Sequence, residues 1–200
     1  MRLLKNVFLN FVGWFDNSQA NDNYLSNTSP EHGIDWLRVI PFVLLHVACF
    51  ALFWVGYSHF ALGFAISLYA IRMFAITGFY HRYFAHKAFQ TSRVGQFIFA
   101  ILGATAVQRG PLWWASHHRN HHAHSDDETD AHSPIQHGFL WSHIGWFLSR
   151  ANFTTKLERV KELAQFPELR FIDRFDVIVP IVFALSIFGL GELLSETAPH

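Results

Sequence analysis

Between Val39 and Ile71 the chain carries no Asp, Glu, Lys or Arg. A helix needs about 20 predominantly apolar residues to cross a bilayer. The pattern predicts two such helices, near 36–56 and 58–78, joined by a tight turn around Gly56-Tyr57-Ser58. Arg72 then falls near the end of the second helix, where a long cationic side chain can reach the membrane surface. A third span fits 176–194, "DVIVPIVFALSIFGLGELL". Pro180 lies inside it, and membrane helices tolerate such prolines. No internal repeat is visible. The expected fold is all-α, a multi-pass transmembrane helical protein.

The segments between these spans are more polar. In "MRLLKNVFLNFVGWF", Leu4, Val7, Phe8 and Phe11 recur at helical spacing. This predicts a short helix lying on the membrane surface. Asn10 breaks the apolar run, which argues against a cleaved signal. Residues 16–33 are rich in Asn, Ser and Asp and read as a loop. Residues 1–35 therefore form an interfacial helix with a polar linker, and 36–200 a membrane domain. The apolar segment 94–108 is short for a span and is expected to lie at the interface. Residues 155–166 read as an amphipathic helix, with Leu157, Val160, Leu163 and Ala164 on one side.

Composition agrees with a membrane protein. Of the 200 residues, 51% are hydrophobic and 15% charged, where soluble chains carry about 25% charged. Net charge is zero, which gives no sign of nucleic acid as a partner. The single cysteine, Cys49, allows no disulfide within the chain. Eleven of the 15 Lys and Arg residues fall between 78 and 175. By the positive-inside rule that region faces the cytoplasm.

Histidine is the outlier. Ten of the 14 lie between residues 81 and 143, and His is the commonest metal ligand among side chains. Two patterns stand out: "HRYFAH", with His81 and His86, and "HRNHH", with His118, His121 and His122. On a helix, positions i, i+3 and i+4 share a face, so the second trio can bind as a group. His117, His121 and His124 satisfy i, i+4, i+7 equally well. His81 and His86 are five apart, about 140° around an α-helix. They need a bend, or a site lying between helices. Clustered imidazoles beyond the four of a closed zinc site favour more than one metal, or iron or copper. If the two clusters share a site, 94–108 cannot cross the membrane and must dip in and return or lie on its surface.

"HRYFAH" and "HHRNHHAHSDDETDAHSP", followed by "GFLWSHIGW", resemble the membrane fatty acyl desaturases of the stearoyl-CoA or acyl-lipid Δ9 type, with bacterial-like wording. The likeness runs through residues 36–195. It implies two ferrous ions held by His81, His86, His118, His121 and His122. It also implies O2 as co-substrate, a saturated acyl-CoA or acyl-lipid substrate, and a ferredoxin- or cytochrome b5-like electron donor. Asp126, Asp130 and His132 resemble family positions that support the ligands. Trp113 and Trp114 border the acyl path in this reading, though membrane anchoring explains them as well. No separate catalytic side chain is expected, because the hard step belongs to metal and oxygen. The resemblance places the protein in the bacterial cytoplasmic membrane. Animal acyl-CoA members carry Arg-Asp where Ser116-His117 stand here, which leaves acyl-lipid or another thioester open. The family's third H-x-x-H-H box is not among these residues, so the chain is expected to be a fragment, or a shortened partner that does not catalyse alone. A related di-iron hydroxylase is the alternative enzyme.

Overall fold

The computed structural model describes residues 11–20, 33–34 and 36–197. Of the expected surface helix over residues 1–15 only the end is described, with 11–13 helical; residues 1–10, and 21–32 of the expected loop over 16–33, lie outside the described residues. Among the described residues the fold is all-helical, with one isolated bridge between Ile34 and Ser149.

Helix α1 (Trp36–Ala48) runs on through a 3-10 turn, Cys49–Ala51, and a short helix, Leu52–Val55. Gly56, at φ 74°, ends it, in a backbone region that glycine enters without a Cβ penalty. Ser58 then caps α2 (His59–Phe74) by accepting a hydrogen bond from Ala61 N. The same helix continues in π-helical winding over Ala75–Ala85. Helix α3 (Arg93–Ala104) starts at Ser92, whose hydroxyl accepts from Gly95 N. Helix α4 (Pro111–Ala123) begins with proline at its first position, where no N–H is needed. Helices α5 (Pro167–Arg174) and α6 (Ile178–Thr197) meet at a 73° bend.

Among the described residues one helix, His59–Ala85, is long and apolar enough by itself to cross a membrane. The 167–194 pair passes that test only jointly, and Val39–Val55 is a shorter apolar helix. Of the three expected spans near 36–56, 58–78 and 176–194, one thus passes by length and composition among the described residues, or two if the bent pair is a single span. Apolar side chains nevertheless stand outward on α1, α2 and α6: Phe53 is 82% exposed, Phe60 65% and Phe188 67%. A continuous surface of this kind is unfavourable in water.

The buried core lies beneath the histidines. Tyr80, Phe84, Ala100, Ala104, Leu112, Ala115 and Leu169 join the end of α2 to α3, α4 and α5. Phe79 stacks on Phe99 at 3.9 Å. Close approach needs Gly103, because a Cβ there would lie 2.0 Å from the Tyr80 ring. α3 therefore returns along the histidine-bearing end of α2. The expected helix over 155–166 is broken into a turn at Leu157–Arg159 and a helix at Lys161–Ala164. Val160, between them, is fully buried while Leu157 is 39% exposed. Leaving helical geometry at Val160 (φ −134°) lets that side chain enter the core without its neighbour.

A polar knot fixes the start of α4. Asp173 accepts from Trp113 N and from the Thr155 hydroxyl, both at 2.7 Å. Trp113 N is one of the N–H groups a helix start leaves unpaired. Beside it, Arg109 pairs with Asp176 at 2.8 Å and donates to Phe153 O at 2.9 Å. Asn17 joins the knot through Arg109 and the Asp173 carbonyl, and Asp16 pairs with Arg174 at 2.7 Å. These bonds tie residues 11–20 to α5.

Burial pushes the Asp173 carboxyl up from its ordinary 3.8 to about 6, against the bonds from Thr155 and Trp113. Between these values the folded protein keeps a proton that the unfolded chain has released. Stability from this group is present below pH 3.8 and is lost as pH rises through 6. Thermal unfolding should therefore show Asp173→Asn gaining on the parent as pH rises from 4 to 6. Parallel curves for the two proteins would contradict the assignment.

Candidate metal centre

The π-helical winding answers the spacing problem of "HRYFAH". In this winding an N–H bonds five residues back, and His86 N donates to His81 O at 3.0 Å. Residue i+5 then sits above residue i, so His81 and His86 share a face. Across from them, α4 presents His118 and His122, one turn apart. His86 Nε2 lies 3.1 Å from His81 Nε2 and 3.2 Å from His118 Nε2. His122 Nε2 lies 3.1 Å from His118 Nε2. One ring nitrogen from each of the four falls within 4.8 Å of all the others.

These spacings suit a metal. Bonds of ~2.0–2.1 Å to tetrahedral nitrogens put donor pairs ~3.4 Å apart, close to what is found. Protonation states suit it too. Burial first, then the neighbouring imidazoles, lowers His118 from 6.5 to about 3. Burial, then His86 and His121, also lowers His122. Both rings are neutral at pH 7 and keep a lone pair to offer. Trp114 stacks on the His118 ring at 4.6 Å and limits its rotation.

His121 turns to a second group. Its Nδ1 lies 2.9 Å from Asp130 Oδ2, and its ring centre is 4.1 Å from that of His132. Nitrogen and oxygen donors of His121, Asp130 and His132 also fall within 4.8 Å of one another. Asp130 is fully buried. Burial pushes its carboxyl up, but bonds from the backbone N–H groups of Asp126 and His132, and from His121, outweigh this and hold it below its ordinary value. An ionised Asp130 accepts a hydrogen bond from His121 Nδ1–H. That places the free lone pair on Nε2, the support expected behind a metal ligand.

Asp126 stands one step further back. Its carboxylate accepts from the Ser133 hydroxyl at 2.7 Å, and its N–H, at φ 63°, donates to Asp130. It therefore shapes the loop behind Asp130 and does not meet an imidazole in the bonds found. The alternative trio His117, His121 and His124 does not form. His117 is buried, is bonded to the Thr154 backbone and is lowered to about 3 by that burial. His124 Nδ1 bonds to Asn120 O in the open.

A cavity of about 610 Å³ opens beside both groups. His118 and His132 stand in its wall with Trp113, Trp114, Trp146 and Phe42. Trp113 is buried, stacks on Trp146 at 5.6 Å and donates from Nε1 to Asn152 O. Both candidate tryptophans thus line a mostly apolar cavity. Trp146 also covers the His132 ring at 4.9 Å. The sequence reading missed it, though "SHIGW" lies within the stretch of family likeness.

A histidine cluster beside an apolar cavity defines a class: a helical protein whose side chains could hold metal next to a nonpolar ligand. The comparisons then place the chain. The family model Fatty acid desaturase matches residues 57–194. The sn-1 stearoyl-lipid 9-desaturase of Anabaena variabilis is 34% identical over 82% of this chain and 61% of its own length. The sn-2 palmitoyl-lipid 9-desaturase of Nostoc sp. (strain 36) is 35% identical over 82% of this chain and 60% of its own. The hex-5-enoyl-[acyl-carrier protein] acetylenase of Moorena producens is 32% identical over 84% and 54%. The chain belongs to the fatty acid desaturase family. It spans about three fifths of the length of the first two relatives.

Proposed function

We propose that the whole protein is an O2-dependent acyl-lipid desaturase that introduces a cis double bond at the ninth carbon of a saturated acyl chain. The convergence of His81, His86, His118 and His122 beside the cavity carries this reading. Two iron ions fit the chemistry of the donors: imidazole suits iron, and the His121 group offers a second position near the first. The irons, when bound, supply the oxidising power to break C–H bonds that side-chain acids and bases cannot attack. The overall change is –CH2–CH2– plus O2, two electrons and two protons, giving –CH=CH– and two waters.

The chain's own residues do the rest. The rings of His118 and His122, held below the ordinary histidine value by burial and their neighbours, keep lone pairs to offer the metals at pH 7. Asp130 keeps the His121 proton on Nδ1. Trp113, Trp114 and Trp146 exclude water and align an apolar chain against His118 and His132. The names of the two 9-desaturases support a lipid-linked substrate. A ferredoxin- or cytochrome b5-like protein is the proposed electron donor.

The apolar surface of α1, α2 and α6 supports three bilayer crossings near 36–56, 58–78 and 176–194. In this arrangement residues 36–200 belong to one membrane domain of a bacterial cytoplasmic membrane. α3 lies at the surface, and the histidines face the cytoplasm.

Mass spectrometry of the product tests the reading. The full-length protein, with a saturated acyl-lipid, reduced ferredoxin and O2, should yield a lipid lighter by two hydrogens. A gain of one oxygen would instead identify a hydroxylase. No turnover with either donor would favour a non-catalytic partner.

A further inference from the structure

The histidine helices meet end to side, and something must fix where they meet. α2 stops at His86: Lys87 takes φ 53°, and the N–H groups of Lys87 and Ala88 turn back to close the helix end on the Tyr83 and Arg82 carbonyls at 3.1 and 2.9 Å. The carbonyls of Phe84 and Ala85, just before His86, are among those a helix end leaves without intrahelical partners. Arg119 of α4 reaches both. Its Nε donates to Ala85 O at 3.0 Å and its Nη2 to Phe84 O at 2.7 Å. Nη1 donates to Arg159 O at 2.9 Å and pairs with Glu162 at 2.8 Å. Glu162 also holds Lys87 at 2.7 Å. One planar guanidinium thus joins the end of α2, the middle of α4 and the 157–164 segment.

Charge and shape both favour this post. A cation is stabilised at a helix carboxyl end. The rigid fork of arginine can serve two neighbouring carbonyls at once, which a lysine ammonium does not reproduce. Arg119 follows His118 directly in the chain, and Ala85 directly precedes His86. Bonds from Arg119 to Ala85 therefore act next to the 3.2 Å approach of His86 Nε2 to His118 Nε2.

We infer that Arg119 is a positioning residue: by gripping the Phe84 and Ala85 carbonyls it sets the register of the two histidine helices and so the convergence of His81, His86, His118 and His122 on one metal. It acts through His86. The inference rests on the reading of these four histidines as ligands.

The test is Co2+ titration of the metal-free, full-length protein in detergent, followed by absorption spectroscopy. Supporting-residue changes at metal sites lower affinity roughly 10- to 100-fold. Arg119→Lys should bind Co2+ at least ~10-fold more weakly, with an altered ligand-field spectrum. Glu162→Gln leaves the carbonyl bonds in place and should bind within about twofold of the parent, far less than such a change. Unchanged affinity and spectrum in Arg119→Lys overturns the inference. So does an equal loss in Glu162→Gln, which would assign the effect to the charge network; that variant also decides the matter if Arg119→Lys does not fold. If the parent itself binds no Co2+, the metal reading has failed rather than the role of Arg119.

Discussion

His118→Ala in the full-length protein is expected to reduce double-bond formation below detection. Two of the three shortest nitrogen–nitrogen approaches in the cluster, to His86 and His122, are made by His118. It is the one member of the four that also stands in the cavity wall. Its loss would leave three donors at the proposed metal position and open it toward the cavity. The fold should survive, because alanine is the best helix former and the change relieves a crowd of imidazole rings. His124→Ala is the matching control, since that side chain is exposed and bonds only to Asn120 O among the bonds found. Product analysis and metal content on both variants check the prediction. Wild-type product yield from His118→Ala would remove His118 from the site.

Asp130→Asn should give the second largest effect. The buried carboxylate serves His121 Nδ1 and the backbone N–H groups of Asp126 and His132. An amide has one acceptor oxygen where the carboxylate has two, so one of these donors must lose its partner. The charge that fixes the His121 proton is also lost. Changes of this kind lower metal affinity or activity roughly 10- to 100-fold. Metal titration with parallel thermal unfolding separates loss of the ligand's support from loss of fold. Unchanged affinity in a folded Asp130→Asn protein would show that His121 orients without its carboxylate.

Much of this site was legible from spacing. His118 and His122 at i, i+4 had to share a helix face, and the run of apolar residues from Val39 to Ile71 had to form helices. The pairing of His81 with His86 was not legible, because an α-helical period puts them about 140° apart. Only the π-helical winding of Ala75–Ala85 brings them together. Nor did spacing divide the second motif. His121 points to Asp130 because the 124–133 loop folds back, through Asp126 at φ 63°, and no local periodicity encodes that turn. The predicted helix over 155–166 failed at Val160, where tertiary burial overrode the amphipathic pattern. Arg119 lay unnoticed inside "HRNHH", since an arginine among histidines reads as surface charge until its carbonyl partners are known.

The central claim is that imidazoles from α2 and α4 hold iron together. X-ray absorption on the iron-loaded, full-length protein tests it most directly. The account predicts a first shell of nitrogen and oxygen with the outer-shell scattering of several imidazole rings, weakened in His86→Ala. A sulfur-containing shell, or iron that binds without imidazole scattering, would contradict it.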